Sequence, residues 1–219
     1  MNLYSTAIAN CPLFSGIDEK DLRGLFDCLN AAKRAYAKHA FVFRPGDGAE
    51  CMGVLLTGCV HIVSEDFWGN RNIITEIRPG QVFAESYACI EEAKLTVGAV
   101  AAEQSEVLFL SVRRILAVCP SACRFHARLI RNLLSALAEK NLVMNEKLTH
   151  ITRRTTRDKL LSYLSAESQK AGSSSFLIPF NRQQFADYLS VDRSALSTEL
   201  GKLRDEGVLT YSKNRFTLL

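Results

Sequence analysis

Near the end of the 219-residue chain, Arg193, Ser194, Ser197 and Thr198 have spacings that put four polar side chains on one face of a helix. An arginine fork there suits a bidentate contact with guanine O6 and N7, which discriminates against a wrong base by roughly 1–3 kcal/mol. Asn181, Arg182 and Gln183 open a preceding helical pattern, and their donors suit phosphate oxygens. Taken singly, such residues are equally well solvated helix ends, and only their arrangement argues for more. Phe180–Leu189 reads as a short helix N-capped by Asn181, Ser190-Val191-Asp192 as a turn, and Arg193 to about Glu206 as a second helix capped by Asp192. Leu196, Leu200 and Leu203 give the second helix an inward face, and Gly207 ends it. Val208–Tyr211, Ser212–Asn214 and Arg215–Leu218 then read as a hairpin. Two short helices around a tight turn, followed by a small β wing, form a winged helix-turn-helix.

Other chemistries are poorly supplied. Cysteines stand at 11, 28, 51, 59, 89, 119 and 123; their number is odd and no C-x-x-C occurs. Neither a disulfide framework nor a zinc knuckle is expected, and reduced thiols in a cytoplasm are the simplest reading. Cys119 and Cys123, four apart, are read as buried apolar cysteines near a helix start rather than as metal ligands. An iron–sulfur cluster needs several clustered thiolates, but Cys28 lies 17 residues from Cys11. No metal and no cofactor are therefore expected. Haem on a His or Cys axial ligand stays open, with His39, His61, His126 and His150 scattered along the chain. A jelly-roll oxygenase needs two histidines and a carboxylate. The β region offers only His39 and His61, without an H-x-H pair, so the chain is not expected to be an enzyme.

The elements that must position these residues fall into three regions. Residues 1–150 carry 16 Lys/Arg and 16 Asp/Glu, whereas 151–219 carry 11 and 7, so the net +4 lies in the last third. Ile17, Leu22, Leu25 and Leu29 give a helical pattern over Ser15–Leu29. From about Tyr36 to Val112, turns at Pro45-Gly46-Asp47-Gly48, Thr57-Gly58, Trp68-Gly69-Asn70 and Arg78-Pro79-Gly80 separate strand-like stretches. These are Ala40–Phe43, Gly53–Leu56, Val60–Ser64, Ile73–Ile77 and Val107–Leu110. Short, evenly spaced strands with Gly/Pro turns predict an antiparallel sandwich, barrel or jelly roll. After Pro120 neither Gly nor Pro occurs before Gly172; the helical pattern breaks near Ile151-Thr152, and a second helix from Arg154 to about Lys170 follows. In the long helix, Ile130, Leu134, Leu137, Asn141, Met144, Leu148 and Ile151 alternate at spacings of four and three, an a/d seam. One alternative is a helix packing on its own domain; the sustained seam with one polar residue favours a homodimer. The domains expected are 1–118, 119–151 and 152–219. No apolar run is long enough for a membrane span, and Met1–Ser5 shows no secretory signal, so a cytoplasmic location is expected.

Residues 180–209 (FNRQQFADYLSVDRSALSTELGKLRDEGVL) resemble the helix-turn-helix signature of the cyclic-AMP receptor protein/fumarate–nitrate regulator family, and the likeness runs from Leu13-Phe14 to the wing. The resemblance implies an α+β fold: an N-terminal double-stranded β-helix sensor, a dimerising helix and a C-terminal winged helix-turn-helix. It implies a homodimeric transcription regulator of palindromic double-stranded DNA, with Arg193 at the family's base-reading position. Ser194 and Thr198 stand where relatives often carry Glu and Arg, so the operator is expected to depart from the best-known consensus. The loop Gln169–Ser175 matches a segment through which relatives contact RNA polymerase. Many relatives bind a cyclic nucleotide through F-G-E and, ten residues after the Glu, Arg-Ser. Here Phe83-Ala84-Glu85 and Leu95-Thr96 keep the spacing but lose the arginine. Lys94 is adjacent, yet neighbours on a strand face opposite sides. A phosphate buried beside Leu95 lacks its partner, so cAMP and cGMP are not expected to bind. The expected effector is instead an undetermined small, apolar or anionic molecule near Phe83, Ala84, Glu85, Tyr87, Cys89, Leu95 and Thr96.

Overall fold

The computed structural model describes residues 6–66, 68, 71–117 and 124–219. Met1–Ser5, most of the Trp68-Gly69-Asn70 turn, Pro120 and the Cys119/Cys123 pair lie outside the described residues. The chain forms two compact units, Met1–Ala138 and Glu139–Leu219.

The first unit opens with helix α1 (Thr6–Ala9), a 3-10 turn at Pro12–Phe14 and helix α2 (Glu19–Cys28). The apolar periodicity suggested a helix from Ser15, but Gly16 takes φ +70° and Asp18 is extended, so α2 starts four residues later. Its Leu22, Leu25 and Phe26 are buried, and Phe26 meets Phe14 edge-on at 5.4 Å. Among the described residues eight strands follow: β1 (Ala32–Tyr36), β2 (Phe41–Phe43), β3 (Cys51–Thr57), β4 (Val60–Glu65), β5 (Arg71–Ile77), β6 (Val82–Phe83), β7 (Gly98–Ala101) and β8 (Ser105–Ser111). Helix α3 (Glu85–Ala88) lies between β6 and β7, and α4 (Val112–Leu116) follows β8.

The strands make two antiparallel four-stranded sheets, ordered β1-β8-β3-β6 and β2-β7-β4-β5, which is the expected jelly roll. β1 escaped the pattern because Lys33 and Arg34 break its apolar alternation; pairing with β8 makes it a strand. β3 reads as a continuous apolar run, and Met52, Val54, Leu55 and Leu56 are all buried. Its two faces feed different cores. Met52, Val54 and Leu56 pack with α2 and with Leu129 and Leu133 of the long helix α5 (Arg124–Ile151). Leu55 packs inside the roll with Val60, Phe83, Val107 and Phe109.

The second unit holds the end of α5, then α6 (Thr156–Ala171), β9 (Ser175–Leu177), α7 (Arg182–Leu189), α8 (Arg193–Asp205), β10 (Leu209–Ser212) and β11 (Arg215–Leu218). The last strands form a sheet ordered β10-β11-β9. α6 begins two residues later than the pattern suggested because the Thr155 hydroxyl caps it, accepting from Asp158 N at 3.0 Å. Gly172, at φ +59°, ends it. Phe185 and Phe216 are fully buried and 6.2 Å apart, and Tyr163 lies 5.0 Å from Phe185. An aromatic centre of this kind makes the small unit costly to disturb: Phe→Ala at such a site removes about 3–5 kcal/mol.

Candidate functional site

The helix pair α7–α8 is defined by its caps. Asn181 Oδ1 accepts from Gln184 N at 2.9 Å while Gln184 Oε1 accepts from Asn181 N at 2.9 Å, a reciprocal capping box. Ser190 ends α7 at φ 52°, and Lys159 Nζ donates to the carbonyls of Leu189 and Ser190 at 3.2 and 3.3 Å, tying the turn to α6. Asp192 Oδ1 then accepts from Ser194 N at 2.7 Å, Ala195 N at 3.1 Å and the Ser194 hydroxyl at 2.5 Å. These three donors hold its carboxyl below the usual carboxylate range, the Ser194 hydroxyl contributing most. Leu196, Leu200 and Leu203 are buried, which fixes the rotation of α8 about its axis.

That rotation exposes Arg193, Ser194, Ser197 and Thr198 together. Among the described residues no hydrogen bond or ion pair engages the Arg193 guanidinium. Ser194 and Ser197 spend their protons locally, on Asp192 and on the Arg193 carbonyl at 2.9 Å, so both hydroxyls face outward as acceptors. The residues read as phosphate contacts are more committed. Asn181 is absorbed in its cap, and Gln183 Nε2 donates to Asp187 at 2.8 Å. Arg182 lies over the Tyr211 ring at 5.0 Å and the Phe216 ring at 5.9 Å, and burial pushes its pKa down. It braces the wing against α7 by cation–π contact.

Along α5, the seam positions do not share one environment. Ile130 and Leu137 are half-buried against the core of the first unit, behind the buried Leu129 and Leu133. Leu134, Met144 and Leu148 are 62%, 66% and 45% exposed, with Asn141 also exposed and accepting from Asn145 Nδ2 at 2.7 Å. Leu142 and Val143 extend the exposed apolar surface.

In the β-roll, Ala84 holds φ 62°, a left-handed conformation that costs a residue with a Cβ roughly 1–2 kcal/mol. The loop thus keeps the glycine-like backbone although the side chain is alanine. Glu85 follows, buried. Phe83 and Ala84 pack with the roll cluster, where Phe43 lies 5.9 Å from Phe83 and 5.6 Å from Phe109. Leu95 is buried, and its backbone is fixed by bonds to Gly46 N at 2.7 Å and Asp47 O at 2.9 Å. Lys94 is exposed. Tyr87 and Thr96 are brought together, their hydroxyls 2.5 Å apart. Cys89 instead packs against the core shared with α2, its thiol pushed up by burial and by Glu85.

Lys159 and the Tyr211–Phe216 platform under Arg182 had no signal in the sequence, because their roles depend on tertiary contacts. Lys213 and Arg215 are exposed on the wing, Lys213 lining a groove with Asn181, Arg182 and Gln184 at the start of α7, cations that composition flagged only as a regional excess.

Comparison with known proteins matches two separate segments of the chain. Residues 33–121 match the family description "Cyclic nucleotide-binding domain", and residues 158–219 match "Crp-like helix-turn-helix domain". No curated protein matches. Among solved structures, the chain is similar to the c-di-GMP responsive global regulator CLP of Xanthomonas campestris, at 20% identity and TM-score 0.55, over 92% of this chain and 99% of that one. It is also similar to CprK complexed with OCPA, at 14% identity and TM-score 0.62, over 90% and 88% of the two chains. DNR from Pseudomonas aeruginosa aligns at 21% identity and TM-score 0.50, over 100% and 95%. Among the described residues no helix is long and apolar enough to cross a membrane.

Proposed function

Since the chain belongs to the cyclic-AMP receptor protein/fumarate–nitrate regulator family of transcription regulators, we propose that it is a homodimeric, sequence-specific DNA-binding regulator controlled by a small effector other than a cyclic mononucleotide bound in the family's usual way. The observation that carries this reading is Arg193: exposed, free of partners among the described residues, and held at the first turn of α8 by the Asp192 cap and three buried leucines. A guanidinium fixed there reads a guanine edge in the major groove, while Ser197, Thr198 and the acceptor side of Ser194 read neighbouring bases. Because Ser194 and Thr198 are short, the operator departs from the common family consensus at the positions they face.

Phosphate contacts then fall less on Asn181 and Gln183, whose side chains are engaged, than on the N-terminal backbone of α7 and on wing cations. The exposed row Leu134, Met144 and Leu148 supports the homodimer, with Asn141 as its polar register mark. Two recognition helices about 34 Å apart would meet successive major grooves of a palindrome. An effector in the β-roll controls this spacing only by binding one arrangement better than the other. The loop Gln169–Ser175 is the proposed RNA polymerase contact, and the cytoplasm the proposed location. CLP is c-di-GMP responsive and CprK takes OCPA. The same fold thus serves dissimilar ligands, and here the loss of the phosphate-pairing arginine at Leu95 argues for another chemistry again.

The test is selection of the full-length protein on a randomised duplex library, followed by footprinting. A two-fold symmetric site with a guanine contacted by each Arg193 is expected; enrichment of no palindrome, with or without cell extract as an effector source, overturns the reading.

A further inference from the structure

We propose a divalent zinc site on the outer part of the β4–β5 hairpin, formed by Cys59, His61 and Glu76. One ligand atom from each lies within 4.8 Å of the other two. The sequence hides this trio, since Glu76 is 15 residues from His61, but the sheet register assembles it. Cys59 immediately precedes β4 and His61 is the second residue of that strand. Glu76 stands directly across from His61 in the β4–β5 ladder, with His61 Nε2 and Glu76 Oε2 3.4 Å apart.

The positions are pinned by contacts that do not depend on a metal. The Ser105 hydroxyl, fully buried, accepts from Cys59 N at 3.2 Å and lies 3.1 Å from the Cys59 carbonyl, which also accepts from Ala102 N at 2.8 Å. Arg78 pairs with Glu76 through Oε1, leaving Oε2 turned toward His61. An outer cation on one carboxylate oxygen is the kind of second partner that orients a ligand. Tetrahedral bonds of about 2.0–2.3 Å place neighbouring donors about 3.3–3.8 Å apart, so closure needs side-chain movements of the order of 1 Å. Soft thiolate, imidazole and carboxylate together favour zinc over magnesium or calcium. One thiolate and one carboxylate also cancel the charge of the dication. Three protein ligands leave a fourth position for water or a small anion.

The full-length protein, with its thiols reduced, should be titrated with Co2+ and then Zn2+. The expected result is one Co2+ per chain with a thiolate charge-transfer absorption, displaced by stoichiometric Zn2+. Cys59→Ser should abolish that absorption. His61→Gln and Glu76→Gln, at a half-buried and an exposed position, should each lower Zn2+ affinity at least about tenfold, as loss of even an outer partner does. Absorption and affinity unchanged in all three variants would assign the metal to other thiols and overturn the site. Failure of the wild-type protein to bind either ion at micromolar concentration would overturn it equally.

Discussion

Two turns of this molecule share a backbone device and differ in what they do with it. Ser190, between α7 and α8, and Ala84, between β6 and α3, are both non-glycine residues at left-handed φ, 52° and 62°. Both lead into a helix. After Ser190 the chain presents Arg193, Ser197 and Thr198 to solvent, each backed by a cap or a buried leucine. After Ala84 it turns inward: Glu85 is buried, and the position ten residues on is the buried Leu95 rather than an arginine. The hydrogen bonds that shape a loop are made mostly by backbone, so a loop can keep its form while its side chains lose one chemistry and gain another. Fold similarity therefore vouches for the shape of both turns but for the chemistry of neither, which must be read residue by residue.

The sharpest way to break the comparison is to offer the sensor loop the ligand its backbone resembles. A phosphate entering beside Leu95 would be a buried charge without its partner, a deficit of about 3–5 kcal/mol, or roughly 10²–10⁴-fold in affinity. Calorimetric titration of the full-length protein with cAMP and cGMP should show no binding at micromolar concentration. Micromolar binding would mean that another cation replaces the arginine, and the contrast between the two turns would collapse.

On the other side of the comparison, Arg193→Ala should cost about 1–3 kcal/mol on the selected operator and relax preference at one base pair per half-site. Binding measured on operators substituted at each position separates this from a general loss. Uniform weakening across all sequences would make Arg193 a phosphate contact. Arg182→Ala is the useful counterpart. Because Arg182 lies on Tyr211 and Phe216, its removal should lower the thermal stability of the second unit as well as weaken all sequences alike.

What the sequence displayed depended on how local each cause was. Asn181, Asp192, Gly172 and Gly207 act on their own helix ends, so the end of α6 and the boundaries of α7 and α8 could be read directly. The heptad spacing on α5 was visible too, but not that Leu129 and Leu133 take the inner face and leave Leu134, Met144 and Leu148 outside. Periodicity fixes which residues share a stripe, whereas the neighbouring domain decides which stripe is covered. β1 was hidden because Lys33 and Arg34 are strand residues only by virtue of β8. Arg182 looked like a phosphate arm because the rings beneath it come from β10 and β11, about thirty residues later. The Cys59–His61–Glu76 cluster was invisible for the same reason, since a hairpin register is needed to bring Glu76 across.

A smaller effect probes the backbone strain at the sensor turn. Ala84→Gly relieves the left-handed penalty, and the added freedom of the unfolded chain takes part of that back, leaving a gain of at most about 1 kcal/mol. A slightly higher melting temperature is expected. A lower one would show that the Ala84 methyl, packed against the roll cluster, contributes more than its conformation costs.

The smallest effect lies at the reading turn and is one of pH. Asp192 is ionised and accepts three hydrogen bonds at the start of α8, where the helix dipole also favours negative charge. Its carboxyl is depressed below the ordinary 3.8, so the folded state binds its proton less readily than the unfolded state does. The stabilisation is therefore fully present above the ordinary carboxylate range and is lost as pH falls through the depressed value. Asp192→Asn keeps an acceptor for the cap but removes the charge, and its own contribution does not titrate. The melting temperatures of the two proteins should differ most near neutral pH and converge in acid. A difference that stays constant with pH would mean that the cap acts as a neutral hydrogen-bond acceptor, with charge irrelevant to holding Arg193. Convergence would instead tie the orientation of the base-reading arginine to an ionised neighbour, a dependence with no counterpart at Ala84, where no side chain caps the helix that follows.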